Sequence, residues 1–195
     1  MSLDAPIDPA RTAVLAMDCQ AGLVAVYAKP QDEFIARASR VLEAARHAGF
    51  QVIHVQVGFR PGLPEVSGRN KLFAAIKSSP EHQKFFEGAS GAIHPGLGPQ
   101  PGDMVVTKHR ISAFRGTDLE VILRAREIDT LVLFGIATSG VVLSTVLDAG
   151  DADYRVIVVS DCCADLDADL HKALMERLFP RRAEVVGGGE LFRAH

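Results

Sequence analysis

The sequence is short of everything a disulfide scaffold, a nucleic-acid binder or a metalloprotein requires. Its 195 residues hold three cysteines, Cys19, Cys162 and Cys163, and the adjacency of two of them makes a poor disulfide framework. At this length one core buries roughly 70% of the unfolded chain's surface, so neither disulfides nor metals are needed for stability. An excess of either charge is missing too. The 21 basic and 24 acidic residues include no dense basic run, which argues against nucleic acid as the main partner. The opening MSLDAPIDPART shows no basic-plus-apolar leader, and unpaired thiols suit a reducing compartment, so a cytoplasmic protein is expected.

Phosphate-binding motifs are also absent. The glycines at 187–189 and the stretch GLGPQPG at 96–102 do not follow a strand as G-x-G-x-x-G, and there is no Walker lysine. A nucleotide-dependent dehydrogenase is set aside and no cofactor is expected. The seven histidines lack metal-ligand spacing, so no metal is expected, and His54, inside an apolar run, reads as a core residue. An uncharged stretch of 18 residues between Asp129 and Asp148 reaches the lower limit for a membrane span. It changes from β-favouring TLVLFG through small, polar ATSG to VVLSTVL, which reads as strand, turn and buried helix without any lipid. A small-molecule partner is what remains.

What is present is an alternation of apolar runs and helical periods. Strands are expected at 12–17, 51–57, 103–107, 130–135, 155–160 and 183–186, and helices at 32–48, from Thr117 to about Glu127, at 139–149 and at 168–179. Thr117-Asp118-Leu119-Glu120 has the spacing of a capping box. Continuously apolar strands separated by helices indicate a parallel sheet covered on both faces. The expected fold is therefore α/β: a three-layer α/β/α arrangement around a six-stranded, mostly parallel, Rossmann-like sheet. The irregular excursion from Gly58 to Gly102, with short helical pieces near 72–76 and 81–86, is long enough to carry function.

Ligands of such sheets sit beyond the carboxyl ends of the strands, where strand order reverses. That rule selects Asp18 and Gln20, then Gln56, Phe59 and Arg60, then Lys108, His109 and Arg110, then Ala137, Thr138, Ser139 and Gly140, and finally Asp161 and Cys162. Asp18 and Lys108 stand out because each is a charge directly ending an apolar run. On neighbouring strands they would meet in one cleft and need each other as partners.

Three separated strings, AVLAMDCQAGLV, DMVVTKHRISAFRGTDLE and DTLVLFGIATSGVVLSTVLDAGDADYRVIVVSDCCAD, followed by LHKALMERLF, resemble the isochorismatase-like hydrolases, also called the cysteine hydrolase superfamily. This superfamily includes nicotinamidases, N-carbamoylsarcosine amidohydrolases and isochorismatases. The resemblance implies one hydrolase domain over 1–195 and an Asp, Lys and Cys site, of which Asp18 and Lys108 match the first two. The third motif commonly reads G-x-x-T-x-x-C-V, and here Val141 stands at the nucleophile's position. A valine cannot attack a carbonyl, so a thioester mechanism does not carry over there.

Members that cleave the vinyl ether of isochorismate also manage without that cysteine. By that resemblance the expected function is cofactor-free hydrolysis of a small anionic substrate, with Asp18 as general acid, Lys108 as its partner and binder of substrate anion, and Gln56 as a polar contact. Substrate contacts are further expected at Gln20, Arg110, Ala137, Thr138 and Gly140, and Arg60, Arg69 or Arg115 are candidates to clamp a carboxylate. The family also implies a non-proline cis peptide near Ile136–Ala137, with neighbouring amides forming an oxyanion-binding turn, and a homodimer or homotetramer. Alternatives are an amidohydrolase with a displaced cysteine, Cys162 being nearest the site, and a catalytically silent binding or assembly member. One tension stands: an ammonium next to Asp18 lowers its pKa, so burial or substrate charge must keep a general acid protonated.

Overall fold

The computed structural model describes residues 3 and 5–192, so the reading of MSLDAPIDPART lies partly outside the described residues. In chain order the elements are β1 (Thr12–Met17), α1 (Ala21–Tyr27), α2 (Gln31–His47), β2 (Gln51–Val57), α3 (Lys71–Ser78), α4 (Pro80–Gln83), α5 (Gly88–Gly91), β3 (Met104–Lys108) and α6 (Leu119–Ala125). Then come β4 (Thr130–Ile136), a π-helical turn (Thr138–Val142) running into α7 (Leu143–Asp151), β5 (Arg155–Ala164), α8 (Ala168–Ala173), β6 (Glu184–Val186) and α9 (Gly188–Leu191).

The six strands form one sheet in the order β3-β2-β1-β4-β5-β6, with every pairing parallel. Every residue of β1 and β4 is buried, as expected of central strands covered on both faces by helices. Strand order reverses between β1 and β4, which places the ends of these two strands, Asp18 and the 136–141 segment, at the crevice where α/β sheets bind ligands. Gly135 allows that approach: its φ is +148°, and a Cβ there would run into the Met17 carbonyl.

Three local expectations are corrected. Strand β3 runs over Met104–Lys108 rather than 103–107, so Lys108 belongs to the strand and is 2% exposed. Strand β5 continues past Ser160 to Ala164, because a register shift between Leu133 and Gly135 lets Cys163 and Ala164 pair with Gly135 and Ile136. The capping box before α6 does not close: Thr117 Oγ1 accepts from the Leu119 N–H at 3.3 Å, and Glu120 pairs with Arg124 at 2.7 Å.

The 58–102 excursion folds over the carboxyl edge of the sheet. It brings Phe73 and Leu63 against Val57 in a small apolar cluster separate from the main core, with Phe59 and Phe86 packed on it. Phe59 meets both Phe73 and Phe86 edge-on, at centroid distances of 5.7 and 5.4 Å. The excursion therefore roofs the crevice rather than merely connecting two strands.

Candidate active site

Asp18 terminates β1 in the left-handed backbone region, with φ +54°, which Asp enters more readily than most residues. Its amide donates to the Val55 carbonyl at 2.7 Å, which fixes the turn to the neighbouring strand. Lys108 does not come from a neighbouring strand: β2 lies between β1 and β3, and the long lysine stem spans it. The Lys108 ammonium Nζ lies 2.8 Å from Asp18 Oδ2 and donates to the Arg110 carbonyl at 3.0 Å. Both side chains are buried, 3% and 8% exposed, and Asp18 Oδ1 is buried with no hydrogen-bond partner.

Burial pushes the Asp18 carboxyl above the ordinary carboxylate range, and the opposing pull of Lys108, by charge and by hydrogen bond, is smaller. In the tension noted from the sequence, burial therefore acts against the ammonium and shifts Asp18 toward its protonated form relative to an ordinary carboxylate.

Above this pair lies a cavity of about 430 Å³. Asp18, Lys108, Ile136, Ala137, Gly140 and Val141 form its inner wall. Apolar side chains of α1 and the excursion, among them Leu23, Phe73, Ile76 and Phe86, also line it, and so do the more exposed Tyr27, Asp165 and Leu166 toward its solvent side. The Ile136–Ala137 peptide is cis.

Asp18, Lys108, Ala137, Gly140 and Val141 are brought together as the sequence suggested, and four other expected contacts are not. Gln20 is fully buried, its amide nitrogen donating to Val57 O at 2.9 Å and Gly91 O at 2.6 Å while its oxygen accepts from Val57 N–H, so the side chain is saturated by the backbone it staples. Gln56 lies on the opposite side of its strand from Val57, which lines the cavity, and bonds Thr107 Oγ1 at 3.1 Å. Arg110 donates to the His109 and Glu65 carbonyls at 2.6 and 3.0 Å. Thr138 is fully buried, its hydroxyl 3.2 Å from the Ala164 carbonyl and 2.8 Å from His171 Nδ1.

The expected carboxylate clamp is likewise elsewhere. Arg115 pairs with Asp148 at 2.7 Å and Arg60 sits 3.7 Å from Glu65, and no arginine lines the cavity among the described residues. In the turn after the cis peptide, where an oxyanion-binding turn was expected, the Ser139 N–H already donates to Asp165 Oδ2 at 2.7 Å. Asp165 lines the cavity, and the sequence reading did not include it. Its signal was the one that found Asp18, a charge ending an apolar run, hidden because strand five was expected to end at Ser160.

The three cysteines are buried, and none of them lines the cavity. Burial raises all three thiols, that of Cys163 up to about 12, so none is a ready thiolate. Among the described residues no helix is long and apolar enough to cross a membrane.

The family profile described as the isochorismatase domain matches residues 12–189. The isochorismatase family protein YwoC of Bacillus subtilis is 34% identical over 183 residues, 90% of this chain and 89% of that one. Maleamate amidohydrolase of Pseudomonas putida is 30% identical over 153 residues, 78% and 70% of the two chains. The solved structure of an isochorismatase family protein from Burkholderia thailandensis superimposes with a TM-score of 0.81 at 31% identity, covering 95% of each chain.

Proposed function

The chain belongs to the isochorismatase family, and from that membership we propose that it hydrolyses a small substrate by general acid catalysis from Asp18, without cofactor and without a thioester intermediate. The observation that carries this reading is the buried Asp18–Lys108 pair at 2.8 Å, with its unpartnered carboxyl oxygen beside a cavity that Val141 also lines and that no cysteine lines. For an enol ether, Asp18 donates its proton to the terminal alkene carbon, leaving an oxocarbenium ion. Water then adds to the cationic carbon and returns a proton to Asp18. The resulting hemiketal breaks its C–O bond, releasing an alcohol and a ketone. Lys108 holds the carboxyl in place throughout, and the apolar walls limit bulk water.

The acid must be protonated, and Asp18 loses its proton as pH rises through its raised pKa. The expected profile of kcat/KM is flat at acidic pH and falls about tenfold per pH unit above a pKa higher than the usual carboxylate range. A profile that instead rises with pH through that region contradicts an acid role.

A second reading, an amidohydrolase with a displaced cysteine, is favoured by the similarity to maleamate amidohydrolase. The two separate on thiol chemistry. Turnover across a panel of vinyl ethers, amides and carbamoyl compounds is expected to survive iodoacetamide treatment of the native protein, and also the combined Cys19→Ala, Cys162→Ala and Cys163→Ala replacement. Inactivation by iodoacetamide, mapped by mass spectrometry to Cys162 and prevented by substrate, establishes the cysteine reading instead. Ligand-induced stabilisation with no turnover of any panel member supports a silent binding protein.

A further inference from the structure

The cavity is polarised from one end to the other. Its buried inner end holds the Lys108 ammonium and the Asp18 carboxyl, whereas its outer end carries two acidic side chains, Asp165 and Asp167, and no basic one among the described residues. Asp165 is half-buried and makes only backbone contacts: Oδ2 accepts from Ser139 N–H at 2.7 Å and Oδ1 from Asp167 N–H at 3.4 Å. Neither contact supplies a formal positive charge. Asp167 spends one oxygen capping α8, accepting from Leu170 N–H at 2.9 Å.

Three observations bear on what this cavity would receive. The phenol of Tyr27, also in the cavity wall, is pushed up by burial and further by the Asp165 charge. The Oδ1 atom of Asp18, on a residue only 6% exposed, lines the same cavity with no partner. The arginines that would receive an anionic substrate are engaged outside the cavity, Arg110 with backbone carbonyls and Arg115 with Asp148.

We propose that Asp165 sets the charge selectivity of this cavity: the substrate points its hydrolysable group inward to Asp18 and Lys108 and a cationic or hydrogen-bond-donating group outward to Asp165 and Tyr27. This rests on the reading of the cavity as the reactive site, and it replaces the anionic substrate expected from the sequence. A carboxylate at the outer end would meet two like charges, and the Ser139 amide is already taken by Asp165. An ammonium there meets the Asp165 carboxylate, with Tyr27 in the same cavity lining.

The test uses three benzamides that differ only at the para position: aminomethyl, hydroxymethyl and carboxyl. Binding is measured by calorimetric titration of the wild type and of Asp165→Asn. Asparagine keeps an oxygen for the Ser139 N–H, so the start of the helix is retained while the charge is lost. In the wild type the aminomethyl compound is expected to bind more tightly than the hydroxymethyl one by on the order of tenfold, with the carboxyl compound weakest. That advantage should shrink with added salt and disappear in Asp165→Asn. Equal binding of the first two, tightest binding by the carboxyl compound, an advantage that survives Asp165→Asn, or no binding by any of the three overturns the proposal. The catalytic reading fails separately: the affinity order is read without turnover, so an intact order in a protein that hydrolyses nothing in the panel would sink the hydrolase assignment and leave the charge selectivity standing.

Discussion

Asp18→Asn is expected to lower kcat by about 10²- to 10⁴-fold while the protein stays folded and still binds ligand, the range attributed to a positioned general acid. Asparagine matches the shape of the carboxyl group, and its oxygen can still accept from the Lys108 ammonium, which now lies 2.8 Å from Asp18 Oδ2. What it lacks is a proton to give at the Oδ1 position, the atom left without a partner in the cavity wall. The replacement leaves the apolar walls untouched, so KM should move far less than kcat. The residual rate should also lose the fall with rising pH, because the group that titrates is gone. A variant with unchanged kcat and an unchanged pH profile would remove Asp18 from the chemistry. A variant that no longer binds ligand by thermal shift would instead assign it a binding role.

Lys108→Met should cost about 3–5 kcal/mol of folding stability at neutral pH, because without the ammonium the buried Asp18 carboxyl must either stay charged and unpaired or take up a proton at that pH. The loss should depend on pH in a definite direction. Removing the ammonium takes away the influence that lowers the Asp18 pKa, so the folded-state value, already raised by burial, rises further above its unfolded value. Below the unfolded pKa Asp18 is protonated in both states and the penalty is absent. It grows as pH rises toward the folded pKa, where folding must either retain a proton or bury a charge. Urea denaturation across that interval checks the trend. Adding Asp18→Asn to Lys108→Met should restore most of the lost stability, since no charge is then buried. A double variant no more stable than Lys108→Met alone would mean that the lysine stem's packing, rather than the charge, sets the cost.

The Asp18–Lys108 pair was legible because a charged residue directly after an apolar run has few ordinary explanations, and both carry that mark. Val141, Ala137 and Gly140 were legible through the family motif around them. The polar candidates chosen for lying near strand ends fared worse, because proximity along the chain does not say which way a side chain points. Gln56 points away from the cavity, Arg110 is held by two carbonyls, and Gln20 and Thr138 are consumed by neighbouring groups. The roof was illegible for a different reason. Phe73 and Phe86 come from the irregular 58–102 excursion, where no periodicity reports which residues face inward.

By itself the sequence determined the parallel sheet, through the alternation of apolar strands and helices, and with it the edge at which any ligand binds. It also determined that no cysteine stands at position 141. Only the tertiary structure decided that Lys108 reaches Asp18 across an intervening strand, and that burial pushes the Asp18 carboxyl up against the pull of the ammonium. It alone decided too that Asp165, not an arginine, faces the outer end of the cavity. The physical reason is common to all three. Desolvation and the field at a point are sums over everything packed around that point, drawn here from β1, β3, β5 and the excursion, and no local stretch of sequence contains that sum.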